Sequence, residues 1–297
     1  IRYQAWQPPL YYGVAAVVYR LTGSIAALKG LSLFFSCVAI GLTWRIVRAI
    51  FPARPALAAT AAFFLALHPM RAYMAAAIHN DPAAECVMAA GLWMILTRRP
   101  AGQIGLAAGF GLLTKVHAGL LLPCYALWIG TDPARGMTWR ARCFSPRGLR
   151  ELISATAVCL VVAAPWMIRN MQLYGWADPL ALQAGALGSA AAEIAAFGQA
   201  RPAIAWTGPH GLVEFFRWLW VSWWGVYGWM SMWPPHQVLW GYAALTLIPL
   251  AGLVFSVARR RPDAMPAGAA HRMVAWLVVV PLLFLAALMV YSLSDFQ

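Results

Sequence analysis

Long apolar stretches follow one another along the chain and limit what it can fold into. Candidate membrane spans cover residues 27–49, 56–76, 82–97, 152–168, 238–258 and 273–293. A helix needs about 20 apolar residues to cross the hydrocarbon core of a bilayer. Hydrophobic residues make up 62% of the sequence and charged residues only 10%. This pattern excludes an ordinary soluble domain and predicts an all-α, polytopic integral membrane helical bundle.

The basic residues predict how the bundle is oriented. Most of the 22 lysines and arginines fall in four clusters at the ends of apolar stretches. Loops rich in lysine and arginine stay on the cytoplasmic side. The net charge of +13 therefore indicates topology and contact with anionic membrane lipids, and no nucleic-acid partner is expected. The clusters consist of Arg45, Arg48 and Arg54; Arg98 and Arg99; Arg135, Arg140, Arg142, Arg147 and Arg150; and Arg259, Arg260, Arg261 and Arg272.

The stretch 102–131 is apolar but is interrupted by Thr114 and Lys115. The clusters on either side of it should face the cytoplasm, so the stretch must cross an even number of times. Each half is short for a complete span, which predicts a helical hairpin with its tip at Thr114-Lys115. A lysine exposed to hydrocarbon costs several kcal/mol. The tip should therefore reach water or a polar cavity on the outer side.

Two segments predict helices that lie along the outer surface. Residues 7–23 begin with Gln-Pro-Pro, and the sequence 214–237, "EFFRWLWVSWWGVYGWMSMWPPHQ", is rich in tryptophan. Proline suits a first helical turn, and tryptophan concentrates at membrane interfaces. We interpret 1–297 as one transmembrane unit. Its parts are 1–26, the end of an outer loop; 27–168, transmembrane helices and the hairpin; 169–237, a long outer loop; and 238–297, C-terminal transmembrane helices.

Asp81 falls in the short outer loop between spans 56–76 and 82–97, directly after His79 and Asn80. One interpretation is that Asp81 only caps the following helix, since aspartate is favoured at that position. The other is a functional carboxylate, because ionisable groups at membrane depth are costly and tend to be functional. Glu85 follows one turn later on the same face, where two carboxylates could bind a divalent metal or share a proton.

Further polar residues lie on the predicted outer side. Lys115, two residues before His117, could extend from a helix end toward the headgroups, or it could contact a phosphate group. Arg169 ends the span 152–168 and is followed by Asn170 and Tyr174. A single exposed arginine at an interface is common, but this group is more polar than a loop that only connects two helices requires.

Several segments, taken in order, resemble a known family. They are "QPPLYY", "NDPAA", "GLAAGFGLLTKVHAGLLLP", "APWMIRNMQLYGWADPL" and "SWWGVYGWMSMWPP". Their order and spacing are similar to those of bacterial membrane glycosyltransferases of the GT-C class. Within that class they resemble family 39, which includes proteins like dolichyl-phosphate-mannose protein mannosyltransferases and aminoarabinose transferases.

The resemblance implies transfer of a sugar from a polyprenyl-phosphate donor to a glycan, lipid or protein acceptor. The reaction would take place on the outer face of the bacterial cytoplasmic membrane, with inversion at the sugar. The main catalytic carboxylate, which would act as the base, is expected upstream of Ile1, and Asp81 matches a second acidic motif. The implied substrate-binding residues are Gln7, Asn80, Lys115, His117, Arg169, Asn170 and Tyr174.

Lys115 and Arg169 would stabilise the negative charge that grows on the leaving lipid phosphate. A carboxylate would take the proton of the acceptor hydroxyl. We expect Asp81, Lys115 and Arg169 to open onto one outer cavity. The alternative is a transporter or flippase-like protein for a lipid-linked or anionic substrate. Transporters often contain internal repeats and have their polar sites near the bilayer midplane.

Overall fold

A computed structural model describes residues 6–132, 145–184, 209–227 and 232–258. Within these residues the protein is helical, and the only strand-like pairing is an isolated bridge between Tyr227 and Met232. The predicted span 273–293 lies outside them. The helices are α1 (Leu10–Thr22), α2 (Ile25–Ile50), α3 (Pro55–Leu67), α4 (Pro69–Ala76), α5 (Asp81–Leu96), α6 (Ala101–Thr114), a 3₁₀ turn (Val116–Leu120), α7 (Leu121–Thr131), α8 (Pro146–Tyr174), α9 (Pro209–Gly225) and α10 (His236–Ala258).

Among the described residues, α2 and α8 are long and apolar enough to cross a membrane. With 26 and 29 residues, they extend roughly 39 Å and 44 Å at 1.5 Å per residue. Only 17% of the apolar window of α2 and 22% of that of α8 is buried inside the protein. A core helix of a soluble protein is mostly buried, so these two helices do not resemble one.

The predicted span 56–76 is not one continuous helix. It divides at His68, where α3 ends and α4 begins with Pro69. Proline has no backbone N–H and disfavours the helical conformation in the residue before it. His68 accordingly has an extended backbone, with φ −65° and ψ 120°. The expectation of an uninterrupted helix was wrong because this local effect of proline outweighs the apolar pattern.

The break predicted at Thr114-Lys115 is present. Helix α6 ends at Thr114, Lys115 is extended, and the chain passes through the 3₁₀ turn into α7. At this end Lys115 contacts Asp81, the first residue of α5. At the opposite end of α5, Arg98 lies 3.4 Å from Asp132, which follows α7. The segment therefore turns back on itself, as a hairpin does.

Close packing of α6 on α8 fixes the position of the hairpin. A Cβ atom added to Gly105 would lie 2.4 Å from the backbone oxygen of Ala155, and one added to Gly109 would lie 2.7 Å from Cβ of Val162. Two glycines four residues apart let helix backbones approach closely, as in many membrane helix pairs. The two helices run in the same direction, so the carboxyl end of α8 lies toward the end where α6 reaches Lys115.

Helix α9 carries much of the tryptophan-rich sequence. The indole N–H groups of Trp220 and Trp224 both donate to the hydroxyl of Thr246 on α10, over 3.1 Å and 3.0 Å. On another side, the ring of Trp224 stacks on buried His68 at 5.3 Å. Helix α9 is thereby held between α10 and the break that separates α3 from α4.

Candidate functional site

The carboxylate of Asp81 joins the start of α5 to the tip of the hairpin. Its Oδ1 accepts a hydrogen bond from Nζ of Lys115. Its Oδ2 lies 3.0 Å from Nδ1 of His79, in the loop that precedes α5. The cap position itself is occupied by Asn80, whose side chain forms no capping bond. The capping interpretation of Asp81 is therefore wrong, because its carboxylate bonds to groups outside its own helix.

Asn80 connects three segments beside this ion pair. Its side chain is buried, and Nδ2 donates to Oε1 of Gln7 and to the backbone oxygen of Thr114, each over 3.1 Å. Gln7 also accepts a hydrogen bond from the hydroxyl of Tyr12 on α1, over 3.3 Å. Carbonyl groups at the end of a helix lack partners within it. Asn80 supplies one for the last residue of α6, which fixes the chain directly before Lys115.

Opposing effects act on the acidity of Asp81, which lies just before the predicted span 82–97. Burial alone would raise the pKa of this carboxyl group. The hydrogen bond with His79 and the positive charge of Lys115 outweigh burial and hold the pKa well below its usual range. His117 is close enough to interact electrostatically with both Lys115 and Asp81. The carboxylate is therefore ionised, and it is a weak proton acceptor.

Arg169, Asn170 and Tyr174 lie together at the carboxyl end of α8. Arg169 donates to Oδ1 of Asn170 over 3.0 Å, and buried Asn170 donates to the backbone oxygen of Pro179 over 3.1 Å. Tyr174 is the last residue of the helix and is half-buried. In the described part of the chain, no hydrogen bond or ion pair joins Arg169 to the Asp81 site. A cavity shared by the two groups stays a prediction.

Glu85 does not form a carboxylate pair with Asp81. Its two oxygens lie 2.8 Å and 2.9 Å from Nε of Arg71 on α4, and Arg71 also donates to the backbone oxygen of Ser36 on α2. The idea of a shared proton or metal is therefore wrong, because a nearer cation neutralises Glu85. Sequence reasoning missed Arg71. A charged residue inside the apolar stretch 56–76 was the signal that it needs a partner.

The surroundings of Asp81 do not suit a divalent cation. Such ions need several oxygen or nitrogen ligands directed at one point. Across the described residues, no three His, Cys, Asp or Glu side chains are placed to hold a metal ion. The ammonium of Lys115 already lies against Oδ1 of Asp81 and would repel a second cation.

An apolar groove opens beside the polar site, between α1 and the end of α6. Its volume is about 460 Å³. On one wall, Leu113 precedes Lys115 by two residues, and on the other, Pro9 follows Gln7 by two. The groove is therefore lined by residues that lie two positions from Lys115 and two positions from Gln7 in the chain. Its lining consists of Pro9, Leu10, Gly13, Val14, Val17, Val18 and Leu113.

Comparison of the chain with protein-family models, with curated proteins and with solved structures finds no match. The contacts of the site bring together Gln7, the adjacent residues Asn80 and Asp81, and Lys115 from three separate segments. His117 lies near this group, while Arg169, Asn170 and Tyr174 form a second group on α8.

Proposed function

We propose that this protein is a multi-pass membrane glycosyltransferase of the bacterial cytoplasmic membrane. It would move a sugar from a polyprenyl-phosphate donor to an acceptor on the outer face. A membrane location is supported by large apolar side chains that point away from the protein. Phe34 on α2, Phe63 on α3 and Val161 on α8 are 60%, 66% and 74% exposed. Extended apolar surfaces of this kind are rare on soluble monomers.

The ion pair between Lys115 and Asp81 is the observation that carries the proposal. Both side chains are about one-third exposed, with 31% for Lys115 and 32% for Asp81. Their charges are therefore partly buried yet open to an incoming ligand. The ammonium has further donors that Asp81 does not use, and a lysine at a break between helices is a suitable partner for a phosphate group.

The neighbouring groove supports a donor with a lipid tail. A polyprenyl phosphate has an anionic head and a long apolar chain. With its head at Lys115, its first isoprene units would pass Leu113 and lie against Val14 and Val17 of α1. Apolar contact of this kind contributes about 25 cal/mol for each square ångström removed from water. A free nucleotide sugar has no apolar part that would use such a groove.

The chemistry of transfer follows from where charge develops. Negative charge grows on the lipid phosphate as its bond to the sugar breaks. A cation already in place at Lys115 would stabilise this charge more in the transition state than in the ground state. The Asn80 bond to Thr114 holds the backbone before Lys115 and so limits the reorganisation required during the reaction. Gln7 would contribute a further polar contact beside the head of the donor.

Transfer of labelled sugar tests the proposal. The intact protein would be placed in membranes that contain glycan, lipid and protein acceptors. Radiolabelled polyprenyl-phosphate mannose would be supplied first, followed by other polyprenyl-phosphate sugars. We expect Lys115→Ala and Asp81→Asn to lower transfer by about a hundredfold, as loss of one preorganised charge does. Lys29→Ala, on α2, is the matched control for the lysine change. If both site variants transfer sugar at the wild-type rate, the assignment of the site is wrong.

A transporter or flippase is the second candidate, and the break at Lys115 favours it as well. Interrupted helices with polar groups at the break are common in transporter binding sites. The two functions differ in whether a covalent bond is broken. A transporter would move labelled lipid-linked sugar between leaflets and leave the donor intact, whereas a transferase would release polyprenyl phosphate in proportion to the sugar transferred.

A further inference from the structure

Both oxygens of the Asp81 carboxylate are engaged by nitrogen atoms. Oδ1 accepts from Lys115, and Oδ2 lies 3.0 Å from Nδ1 of His79. A carboxylate with both oxygens bonded to donors is a poor proton acceptor, since protonation would break one of these contacts. It is well placed to orient its neighbours. In catalytic triads a carboxylate has this role when it holds the imidazole that acts as base.

His79 has one ring nitrogen held in this way and the other open. Its side chain is 32% exposed, and its Nδ1 faces Asp81. In the described ranges, its Nε2 forms no hydrogen bond or ion pair. An imidazole with one nitrogen fixed by a carboxylate and the other accessible is the usual arrangement of a general base.

Which contact Nδ1 makes depends on whether this nitrogen carries a proton. Nδ1 lies 3.0 Å from Oδ2 of Asp81, and it also lies 3.3 Å from the backbone nitrogen of the same residue. With a proton on Nδ1, the ring can donate to the carboxylate and leave Nε2 free to accept. In the other neutral tautomer Nδ1 accepts the backbone N–H and Nε2 carries the proton, so only the tautomer with the proton on Nδ1 can act as the base. Both contacts keep the ring beside Asp81.

We propose that His79 is the general base of the transfer reaction and that Asp81 is its positioning residue, an inference that rests on the proposed function. Nε2 takes the proton of the acceptor hydroxyl, and the hydroxyl oxygen forms a bond to the anomeric carbon. The bond from that carbon to the phosphate oxygen breaks, and its electron pair leaves on the polyprenyl phosphate near Lys115. The proton then passes from Nε2 to water. The base is then a residue of this sequence, whereas the family resemblance implies a carboxylate upstream of Ile1.

The charged groups at the contact between His79 and Asp81 are the carboxylate of Asp81 on α5 and the ammonium of Lys115 at the hairpin tip, which contacts that carboxylate. His117, in the 3₁₀ turn, interacts with both of those charges. An imidazole must be neutral to accept a proton, so general-base catalysis by a histidine gives a rate of transfer that decreases toward low pH. A purely structural histidine would not impose this dependence on the chemical step.

Kinetics of the intact protein in lipid nanodiscs test the assignment. Transfer from radiolabelled polyprenyl-phosphate mannose, or from the sugar that proves active, would be followed between about pH 5 and 9. We expect His79→Gln to lower kcat by about 10²–10⁴-fold, with little change in KM, and to remove the decrease at low pH. Added imidazole should restore part of the rate to His79→Ala. His236→Gln, an exposed histidine at the start of α10, should behave like the wild type.

The outcomes separate this inference from the proposed function. If the wild type transfers sugar and His79→Gln retains both its rate and the low-pH decrease, His79 is not the base, although the transferase assignment stands. If His79→Ala is inactive and less thermally stable and imidazole restores nothing, the role of His79 is structural and the inference is overturned. If the folded wild type transfers sugar from no polyprenyl-phosphate donor, the proposed function and this inference both fail.

Discussion

Arg71 and Glu85 form a two-point ion pair, in which Nε of the guanidinium lies 2.8 Å and 2.9 Å from the two carboxylate oxygens. The pair joins α4 to α5, and the bond from Arg71 to the backbone oxygen of Ser36 adds α2. Three helices therefore meet at Glu85, one helical turn after Asp81 on α5. The side chain of Arg71 is 11% exposed and that of Glu85 is 35% exposed, so the guanidinium is the more deeply buried partner.

Removal of Arg71 should destabilise the protein strongly. Arg71→Ala leaves a half-buried carboxylate without its cation and frees the Ser36 carbonyl. We expect the free energy of unfolding to decrease by about 2 kcal/mol, less than for a fully buried pair because Glu85 keeps some contact with solvent. Thermal unfolding in detergent micelles measures the change. Arg217→Ala removes an exposed pair with Glu214 and should change stability by less than about 1 kcal/mol.

Packing of α6 on α8 predicts opposite results at two glycines of one helix. Gly105→Ala places a Cβ atom 2.4 Å from a backbone oxygen, which cannot move without shifting α8. We expect a loss of about 1–3 kcal/mol, typical of overpacking. At Gly102 a Cβ atom meets nothing within 4 Å. Gly102→Ala should be neutral or stabilise by up to about 1 kcal/mol through helix propensity. Equal melting temperatures for the two variants would contradict the close contact.

Loss of the Asn80 amide should affect both stability and the position of Lys115. Asn80→Ala removes two hydrogen bonds and leaves the Thr114 carbonyl buried without a partner. A decrease of about 1–3 kcal/mol in unfolding free energy is expected. The sugar-transfer assay should also show a lower kcat, because the tip of the hairpin is no longer fixed. Gln237→Ala, which removes an exposed amide, is the matched control. A variant with normal kcat and normal stability would show that the Asn80 bonds are dispensable.

Thr246 should be more important than its small side chain indicates. Its hydroxyl accepts two indole N–H groups, so Thr246→Val leaves Trp220 and Trp224 without their acceptor. Each hydrogen bond contributes about 0.5–1.5 kcal/mol, and we expect a total loss of about 1–3 kcal/mol. Thr60→Val, an exposed threonine bonded within its own helix, should change stability much less. Limited proteolysis should then cut more readily near α9 in Thr246→Val than in the control.

Predictions from the sequence were correct for features that depend on residues close together in the chain. The apolar pattern predicted helical structure, and it placed the break at Thr114-Lys115 within one residue of where α6 ends. A polar interruption in an apolar run is visible without any partner. The break at His68 was missed, although Pro69 was the signal, because hydropathy was given more weight than the backbone effect of proline. The close contact at Gly105 was also missed, although the spacing of Gly105 and Gly109 indicated it.

Partners were predicted less well than helices. Glu85 was expected to act with Asp81 because the two share a helix face, and the structure pairs it with Arg71 instead. His79 was noted only as a polar neighbour, and its contact with Asp81 depends on how the loop before α5 folds back. Arg169 and Lys115 were expected to share one cavity because both were predicted on the outer side of the membrane. Lying on the same side does not determine which side chains contact each other.

The sequence by itself determined that the described chain is helical, where α2, α5 and α10 begin and end to within two residues, and which polar residues lie near helix ends. These properties depend on interactions between residues a few positions apart. Only the tertiary structure decided that Lys115 meets Asp81, that Asn80 reaches Gln7, and that Glu85 belongs to Arg71. Such pairs are separated by 34, 73 and 14 positions. Their meeting depends on how neighbouring helices pack, which the periodicity of any single helix does not specify.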